Sequence, residues 1–163
     1  MHKDAILSGE VIPAYRYWLL RSWLRTGPRV LWVMLNPSTA DASIDDPTIK
    51  RVVSFSTSWG FGSSAVVNLF ALRATKPEQI YQSVDPIGPM NTAHIIAALL
   101  QADMVVAAWG AHGPFAARDK AVMRLLDRFW RKPVHCLGTT KDGCPLHPLY
   151  VKGDRELVRY HVG

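Results

Sequence analysis

The sequence has no long hydrophobic segment and no pattern typical of a secretory signal peptide. Its apolar runs are all much shorter than the roughly 20 residues that a helix needs to cross a bilayer. Residues 1–4 are not followed by the apolar segment that a signal peptide carries. These absences predict a cytoplasmic protein with no membrane partner.

Cysteine is also scarce, since the chain contains only Cys136 and Cys144. Two thiols are too few for a four-thiolate zinc or iron–sulfur site, and a structural disulfide is not expected in a reducing compartment. We expect Cys136 to be a small, buried apolar residue. The cysteines therefore predict no thiolate metal site, and no cofactor is expected.

Several well-defined catalytic and nucleotide-binding patterns are missing. The chain contains no GxxxxGKS, GxGxxG, HExxH or GxSxG sequence, which leaves nucleoside triphosphate use and serine hydrolysis without support. It has no run of like charge, although its net charge is +6. This positive charge favours polyanionic partners, nucleic acid first. The alternative is a basic surface that contacts only solvent.

The 163 residues do contain a regular alternation of apolar runs and helix-forming segments. Buried strands are predicted at 30–35, 65–70, 103–109 and 134–137, and helices at 47–59, 77–82, 91–101 and 114–130. Such alternation specifies a parallel sheet covered by helices on both faces. We therefore predict an α/β fold with three α/β/α layers and a central, mainly parallel four-stranded sheet. Residues 1–163 are long enough for one domain and are predicted to form a single domain.

The N-terminal segment is less regular. Residues 1–13 look like an irregular arm, and residues 15–23 are rich in aromatic side chains. The turn at 26–28 predicts an antiparallel hairpin of 15–23 with 29–35, at an edge of the sheet. Four arginines lie on or beside this hairpin and are interpreted as solvated edge charges: Arg16, Arg21, Arg25 and Arg29.

Polar residues follow the ends of the predicted strands, where open α/β sheets bind their ligands. Asn36 can hold a polar ring edge or orient a water molecule; the alternative is a turn in which its side chain bonds its own backbone. Ser38 and Thr39 can cap a helix or contact phosphate.

Three carboxylates follow closely, those of Asp41, Asp45 and Asp46. One of them can act as a general base, or a pair can bind a divalent metal ion. Asp46 precedes Pro47, so its first interpretation is the N-cap of a helix.

Other strand ends carry Asn68, Gly110, His112 and His147. Asn68 either pairs with a neighbouring loop or reads the edge of a base. Gly110 allows a backbone to approach a ligand closely, and His112 can be an acid, a base or a phosphate contact. His147 can stabilise negative charge on a substrate oxygen. The alternatives are an exposed His112 and a structural His147.

Five motifs carry a resemblance to an uncharacterised family of small bacterial and phage proteins, a domain of unknown function. They are NPSTAD at 36–41, DDPT at 45–48, VNLFALR at 67–73, AWGAHG at 108–113 and HPLY at 147–150. The resemblance extends over nearly the whole chain and brings no established activity with it.

The order of these motifs is also similar, more distantly, to that of the uracil-DNA glycosylase superfamily. Residues 35–37 resemble the first motif of that family, in which an Asp or Asn positions the attacking water. Residues 66–69 resemble the strand whose Asn reads the flipped base, and residues 106–110 its apolar strand ending in Trp-Gly. Residues 147–149 resemble the motif whose His stabilises the departing base anion and whose following residues probe the DNA.

This resemblance implies a DNA glycosylase-like enzyme that hydrolyses the N-glycosidic bond of a modified or deaminated base. The resemblance implies Asn36 and His147 as catalytic residues, and Asp41 is the further catalytic candidate, as a general base. The implied substrate-binding residues are Pro37, Ser38, Thr39, Asn68, Phe70, Arg73, Trp109, Gly110 and His112.

Two other functions stay open at this point. One is a binding module that holds a nucleobase, a nucleotide or modified DNA without chemistry. The other is a metal-assisted hydrolase built on Asp41, Asp45 and His112. The sequence does not determine the oligomeric state.

Overall fold

A computed structural model of the protein describes residues 1–8 and 14–161. The strands are β1 (His2–Ser8), β2 (Tyr15–Ser22), β3 (Arg29–Met34), β4 (Ser63–Asn68), β5 (Met104–Ala107), β6 (His135–Cys136) and β7 (Val158–Arg159). The α-helices are α1 (Pro47–Ser58), α2 (Pro77–Gln82), α3 (Asn91–Leu99) and α4 (Arg118–Leu125). Short 3-10 helices span Phe115–Ala117 and Pro148–Tyr150, and a π-helical turn spans Leu126–Trp130.

The first apolar run and the first helix form where local sequence predicts them. In β3, every residue after Arg29 is buried, as expected for a strand covered on both faces. The helix α1 begins at Pro47 because Asp46 caps it: its Oδ1 accepts a hydrogen bond from the Ile49 N–H at 2.9 Å. The polar loop of residues 36–46 therefore follows a buried strand, β3, and ends at the capped start of α1.

The seven strands form one mixed sheet in the order β1-β2-β4-β3-β5-β6-β7. β3 pairs in parallel with β4 and with β5, and β5 pairs in parallel with β6. β1, β2 and β7 add antiparallel pairings at the two sides. Met34 lies opposite Asn68 in the register, so β3 and β4 end together and the polar segments after them share one edge.

Helices cover both faces of this sheet. On one face α1 packs Phe55 against Trp32 of β3. On the other face Ile95 of α3 and Val122 of α4 belong to the same buried cluster as Leu31. Successive β3 side chains thus enter opposite cores, as the alternation of a strand requires. Within the described residues, no helix combines the length and apolar character needed to span a bilayer.

The predicted hairpin between 15–23 and 29–35 is wrong. β2 pairs antiparallel with β4 on one side and with β1 on the other. The segment after β2 instead crosses the start of β4, where the Gly62 carbonyl accepts hydrogen bonds from the Trp23 and Leu24 N–H groups at 3.0 and 3.1 Å. β4 is buried along its whole length, so it takes the inner position beside β3.

Two further expectations for the N-terminal segment need correction. Residues 2–8 form the strand β1 rather than an irregular arm, while residues 9–13 of that arm lie outside the described residues. Arg16 and Arg21 are not solvated edge charges, because they are 2% and 0% exposed. Both lie on β2, which becomes an inner strand once β1 pairs with it.

The helical segment predicted at 114–130 is divided into three pieces. Ala116 and Ala117 both have φ of +53°, which separates the first 3-10 turn from α4. The last turn widens to a π-helix. The chain then adds β6 and, near its end, β7. The described sheet therefore has seven strands, against four parallel strands and one antiparallel edge strand predicted; β1 and β7 are the two that were not expected.

Candidate functional site

A cavity of about 440 Å³ opens at the carboxyl ends of β3, β4 and β5. Parallel strands leave their polar connections at this edge, and the volume falls within the usual range of small-molecule sites. Met34, Asn68 and Trp109 are buried at its floor, whereas His112 and Tyr150 are exposed at its rim. The cavity is therefore deep at the sheet and open to solvent.

The cavity brings together residues from four separate segments. The predicted site residues that line it are Asn36, Ser38, Asn68, Trp109, Gly110, His112 and His147. The predicted site residues that do not line it are Pro37, Thr39, Asp41, Phe70 and Arg73. The first group comes from the ends of β3, β4 and β5 and from the loop that contains His147.

Asn36 is held in one orientation by the backbone. Its Nδ2 donates hydrogen bonds to the carbonyl oxygens of Pro37 and Ala74, at 2.9 and 2.8 Å. These two acceptors identify the amide nitrogen and direct the oxygen elsewhere. No donor in the described part of the chain hydrogen-bonds Oδ1, so this oxygen is available to orient a water molecule.

Asn68 ends β4 with a side chain that is 1% exposed. The turn after it is fixed by Asn91, whose Nδ2 donates to the carbonyls of Asn68 and Leu69, and by Arg118, whose Nε donates to the Leu69 carbonyl at 2.8 Å. Among the described residues, the Nδ2 of Asn68 itself has no hydrogen-bond partner. Buried donors are normally paired, and Asn68 is one of the residues that line the cavity.

His147 begins the 3-10 helix Pro148–Tyr150. Its Nδ1 accepts a hydrogen bond from the Leu149 N–H at 3.2 Å. Burial lowers the pKa of His147 to about 4, against a smaller opposing effect of Asp46. The ring is therefore neutral at neutral pH, and its proton is on Nε2 because Nδ1 accepts.

The end of β5 supports the opposite wall. The Gly110 N–H donates to the Pro145 carbonyl at 2.8 Å, which ties the loop containing His147 to the sheet. Gly113 packs directly on Trp109: a Cβ at Gly113 would lie 2.0 Å from the indole Cδ1. Glycine is therefore required there by contact with the indole ring.

His112 lies at the exposed rim, where its Nδ1 shares a hydrogen bond with the Tyr81 hydroxyl. The Tyr81 ring packs against Phe115, with centroids 4.6 Å apart. Phe115 in turn packs against Phe70, which is fully buried in the core. Phe70 therefore supports the rim from behind rather than facing the cavity.

The three aspartates of the 36–46 loop have separate structural roles. The Asp41 carboxylate accepts two backbone hydrogen bonds, from Ser43 and Ile44, which lower its pKa. Asp45 pairs with Arg21 at 2.6 Å. Asp46 uses one oxygen to cap α1 and the other to accept from the Ala40 N–H at 3.3 Å.

These roles bear on the metal-assisted alternative. Within residues 1–8 and 14–161, no three His, Cys, Asp or Glu side chains form a group that could hold a metal ion. Asp45 is bound to arginine, and His112 to a tyrosine, so the geometry gives no support to a site built from Asp41, Asp45 and His112.

Two of the remaining predicted residues, Pro37 and Arg73, contact segments that line the cavity. The Pro37 carbonyl accepts from the Ala74 N–H at 3.0 Å, and Arg73 Nε lies 3.5 Å from the Ser38 carbonyl. Thr39 is exposed. These contacts join the 36–41 and 73–77 segments that form one side of the cavity.

Sequence reasoning did not name several lining residues as site residues: Arg16, Thr48, Thr75, Lys76, Thr140 and Tyr150. Thr75 and Thr140 lie in polar segments that follow predicted strands, and Lys76 comes one residue after Thr75. Arg16 carries no local signal, because its position depends on distant contacts. It lies opposite Leu7 of β1, and its N–H donates to the Ala71 carbonyl at 3.0 Å.

Comparison with known proteins gives one family. A family model described as "Protein of unknown function (DUF1643)" matches residues 16–149 of the chain. No curated protein and no solved structure matches the chain. The match spans the cavity from Arg16 to Leu149 and assigns no activity to it.

Proposed function

The chain belongs to the DUF1643 family, and we propose that it is a DNA glycosylase-like enzyme. The reaction is hydrolysis of the N-glycosidic bond of a modified or deaminated base, on a fold related to that of uracil-DNA glycosylases. One observation carries the proposal: Asn36, Asn68 and His147, from three distant segments, line the same cavity. These are the residues that match the three functional positions of that superfamily.

The orientation of Asn36 suits the delivery of water. Because its amide nitrogen is bound to two carbonyl oxygens, its Oδ1 can accept a hydrogen bond from a water molecule. Glycoside cleavage proceeds through a cationic, oxocarbenium-like sugar. As the C1′–N bond breaks, the base departs with the bonding electrons and leaves that cation. The oriented water then adds to C1′ and releases a proton to solvent.

The tautomer of His147 suits stabilisation of the leaving base. The neutral ring has Nε2–H as its donor, since Nδ1 accepts from Leu149. A donor aimed at the oxygen of the departing base stabilises the anion that receives the electrons of the broken bond. The buried Nδ2 of Asn68 adds a second donor for an acceptor atom on the base edge.

The rim suits contact with a DNA strand. Tyr150 is 82% exposed and Leu149 45% exposed, directly after His147. Arg51 holds their turn through hydrogen bonds from its guanidinium to the carbonyls of Pro148 and Val151. Side chains presented in this way can fill the gap left by a flipped base. Lys76, exposed at the same rim, supplies positive charge for phosphate.

The test is formation of abasic sites in duplexes that carry single deaminated or modified bases. We expect cleavage of at least one such base, with Asn36→Ala slower by about 10²-fold, a magnitude typical for removal of one group acting on the transition state. Arg124→Ala, which lies on α4 away from the cavity, is the control and should retain activity. Absence of cleavage across the panel, or equal rates for Asn36→Ala, contradicts the proposal.

A second candidate is a binding module for a nucleobase, a nucleotide or modified DNA. The observation that favours it concerns Asp46, the single carboxylate among the described residues that line the cavity. Both of its oxygens accept backbone hydrogen bonds, so it is not a free general base. This candidate predicts that a ligand raises the melting temperature by mass action without turnover.

A further inference from the structure

Arg16 is a buried cation without a carboxylate partner. It is 2% exposed and lines the cavity. Its Nη1 donates to the Ala40 carbonyl at 2.6 Å, but its Nε is buried with no hydrogen-bond partner among the described residues. No carboxylate in the described part of the chain lies within 4.0 Å of its guanidinium. A buried charge in this state is costly unless something else pairs with it.

Arg21, on the same strand, shows how this fold pairs a buried arginine when the role is structural. It is 0% exposed. Its Nε bonds Asp45 Oδ1 at 2.6 Å, and its other nitrogens donate to the carbonyls of Leu20, Asp41 and Ile44. All three side-chain nitrogens of Arg21 thus have hydrogen-bond partners in the protein. Arg16, in contrast, lines the cavity with its Nε unpaired among the described residues.

The surroundings of Arg16 favour a negatively charged group. Asn68 contributes a second unpaired buried donor to the same cavity. Burial lowers the pKa of Arg16, and the negative charge of Asp46, which also lines the cavity, opposes this shift without a direct ion pair. Lys76 adds a positive charge at the rim. A planar guanidinium matches the geometry of carboxylate and phosphate oxygens.

We infer that the inner part of the cavity is an oxyanion subsite, in which Arg16 binds a carboxylate or phosphate group of the ligand. The ligand of this cavity is then an anionic nucleotide or a base with an anionic substituent, not a neutral base alone. As a statement about the substrate, the inference rests on the proposed function; as a statement about binding, it is tested separately.

The direct test observes Arg16 itself in the full-length protein. Inorganic phosphate and, in parallel, acetate are titrated at constant ionic strength while the arginine Nε–H resonances are followed by ¹⁵N NMR. The Arg16 resonance is identified by its absence in Arg16→Lys. We expect it to shift saturably, while the Arg21 resonance, already bound to Asp45, stays fixed.

The two anions distinguish a phosphate group from a carboxylate group as the part of the ligand that Arg16 binds. A response to phosphate alone assigns the subsite to a phosphate group, and a response to acetate alone assigns it to a carboxylate. A response to both supports the shared oxyanion chemistry. No saturable shift of Arg16 with either anion overturns the inference.

A variant series provides the second readout. In Arg16→Gln, affinity for the responding anion should fall roughly ten- to a hundredfold, the usual loss for a charge-assisted hydrogen bond. Arg124→Gln removes the same charge from an exposed position outside the cavity and should bind as the wild type does. Equal affinity in Arg16→Gln overturns the inference; if that variant fails to fold, the wild-type titration decides.

Failure of this inference and failure of the proposed function give different results. Arg16-dependent anion binding without base excision from any duplex would support the oxyanion subsite and contradict the glycosylase proposal. Base excision without Arg16-dependent anion binding would support the glycosylase proposal and contradict the oxyanion subsite.

Discussion

The backbone N–H of Leu149 donates a hydrogen bond to Nδ1 of His147, at 3.2 Å. A ring nitrogen that accepts does not carry the proton, so the neutral imidazole presents Nε2–H. Burial holds the pKa of His147 near 4, so this neutral form predominates at neutral pH. The local turn therefore sets both the charge and the direction of the donor in the cavity.

We predict that protonation of His147 destabilises the protein in mild acid. The unfolded chain binds the proton near the ordinary pKa of about 6.5, whereas the pKa of the folded His147 is about 4. The free energy of unfolding therefore falls as the pH decreases from about 6.5 towards about 4. The loss is roughly 3 kcal/mol at most and smaller where solvent in the open cavity screens the charge.

Urea unfolding at a series of pH values measures this effect. His147→Asn is the matched variant, because its amide oxygen can still accept from the Leu149 N–H but does not titrate in this range. The difference in unfolding free energy between wild type and variant should change between about pH 6.5 and about pH 4. Parallel profiles for the two proteins would contradict the assignment.

Asn36→Asp is predicted to destabilise the protein at neutral pH. The Asn36 Nδ2 faces the carbonyls of Pro37 and Ala74, so a carboxylate would meet two acceptors. We expect a loss of about 1–3 kcal/mol, the range for unpaired polar groups. The repulsion raises the pKa of the new carboxyl group. The difference from wild type should therefore be small at low pH and grow as the pH rises past about 4.

Chemical denaturation of wild type, Asn36→Asp and Asn36→Ala at acidic and neutral pH provides the measurement. The alanine variant loses the donors without adding charge, so its difference from wild type should not depend on pH. A similar pH-independent loss in both variants would mean that the introduced carboxylate turns away from the carbonyl pair.

Removal of the Asp45 carboxylate is predicted to be strongly destabilising. Asp45 neutralises Arg21, which is 0% exposed, and truncation to Ala leaves a buried cation. Loss of one partner of such a pair typically costs 3–5 kcal/mol, so we expect about 3 kcal/mol or more. Burial by itself would raise the pKa of Asp45, but hydrogen bonds from Arg21 and Lys3 lower it overall. The stabilisation is therefore present above the ordinary carboxyl pKa and is lost in stronger acid.

Asp41→Asn is the comparison for Asp45→Ala in equilibrium unfolding. Its amide oxygen can still accept from the Ser43 and Ile44 N–H groups that Asp41 binds, so we expect a much smaller loss. Equal losses in the two variants would contradict the separate roles of these aspartates.

Gly113→Ala is predicted to disturb the cavity wall. The new methyl carbon would lie 2.0 Å from Cδ1 of Trp109, so the indole or the backbone must move. Overpacking of this kind typically costs 1–3 kcal/mol, and we expect about 2 kcal/mol with altered tryptophan fluorescence. Gly153→Ala is the control, because its Cβ would meet only the end of the Arg51 side chain, at 3.3 Å. Unchanged stability in Gly113→Ala would contradict the prediction, because it would mean that the indole or the backbone moves aside without energetic cost.

Much of the central sheet and of the lining was predictable because its signals are local. A run of buried apolar residues makes β3 a covered strand, and the Asp46-Pro47 pair starts α1. Parallel strands end at a common edge, so polar residues after their ends, such as Asn36 and Asn68, meet in one cavity. These features can be predicted from residues that are close in sequence, without knowledge of any distant contact.

Strand pairing was less predictable. The 15–23 segment has a turn before β3, which favours a local hairpin, but β4 enters between the two strands. The choice is made by burial of β4 on both faces and by pairing of β1 on the outer side of β2. Neither influence is visible in the residues around the turn.

The sequence by itself determined the strand–helix alternation, the cap of α1 and the polar residues at the strand ends, because each depends on neighbours a few positions away. Only the tertiary structure decided which arginines are buried and which of them are paired. Arg21 pairs with Asp45 and Arg16 lines the cavity because β2 is an inner strand between β1 and β4, where both arginines are buried. Charged side chains are exposed by default, and only contacts distant in sequence can hold them inside.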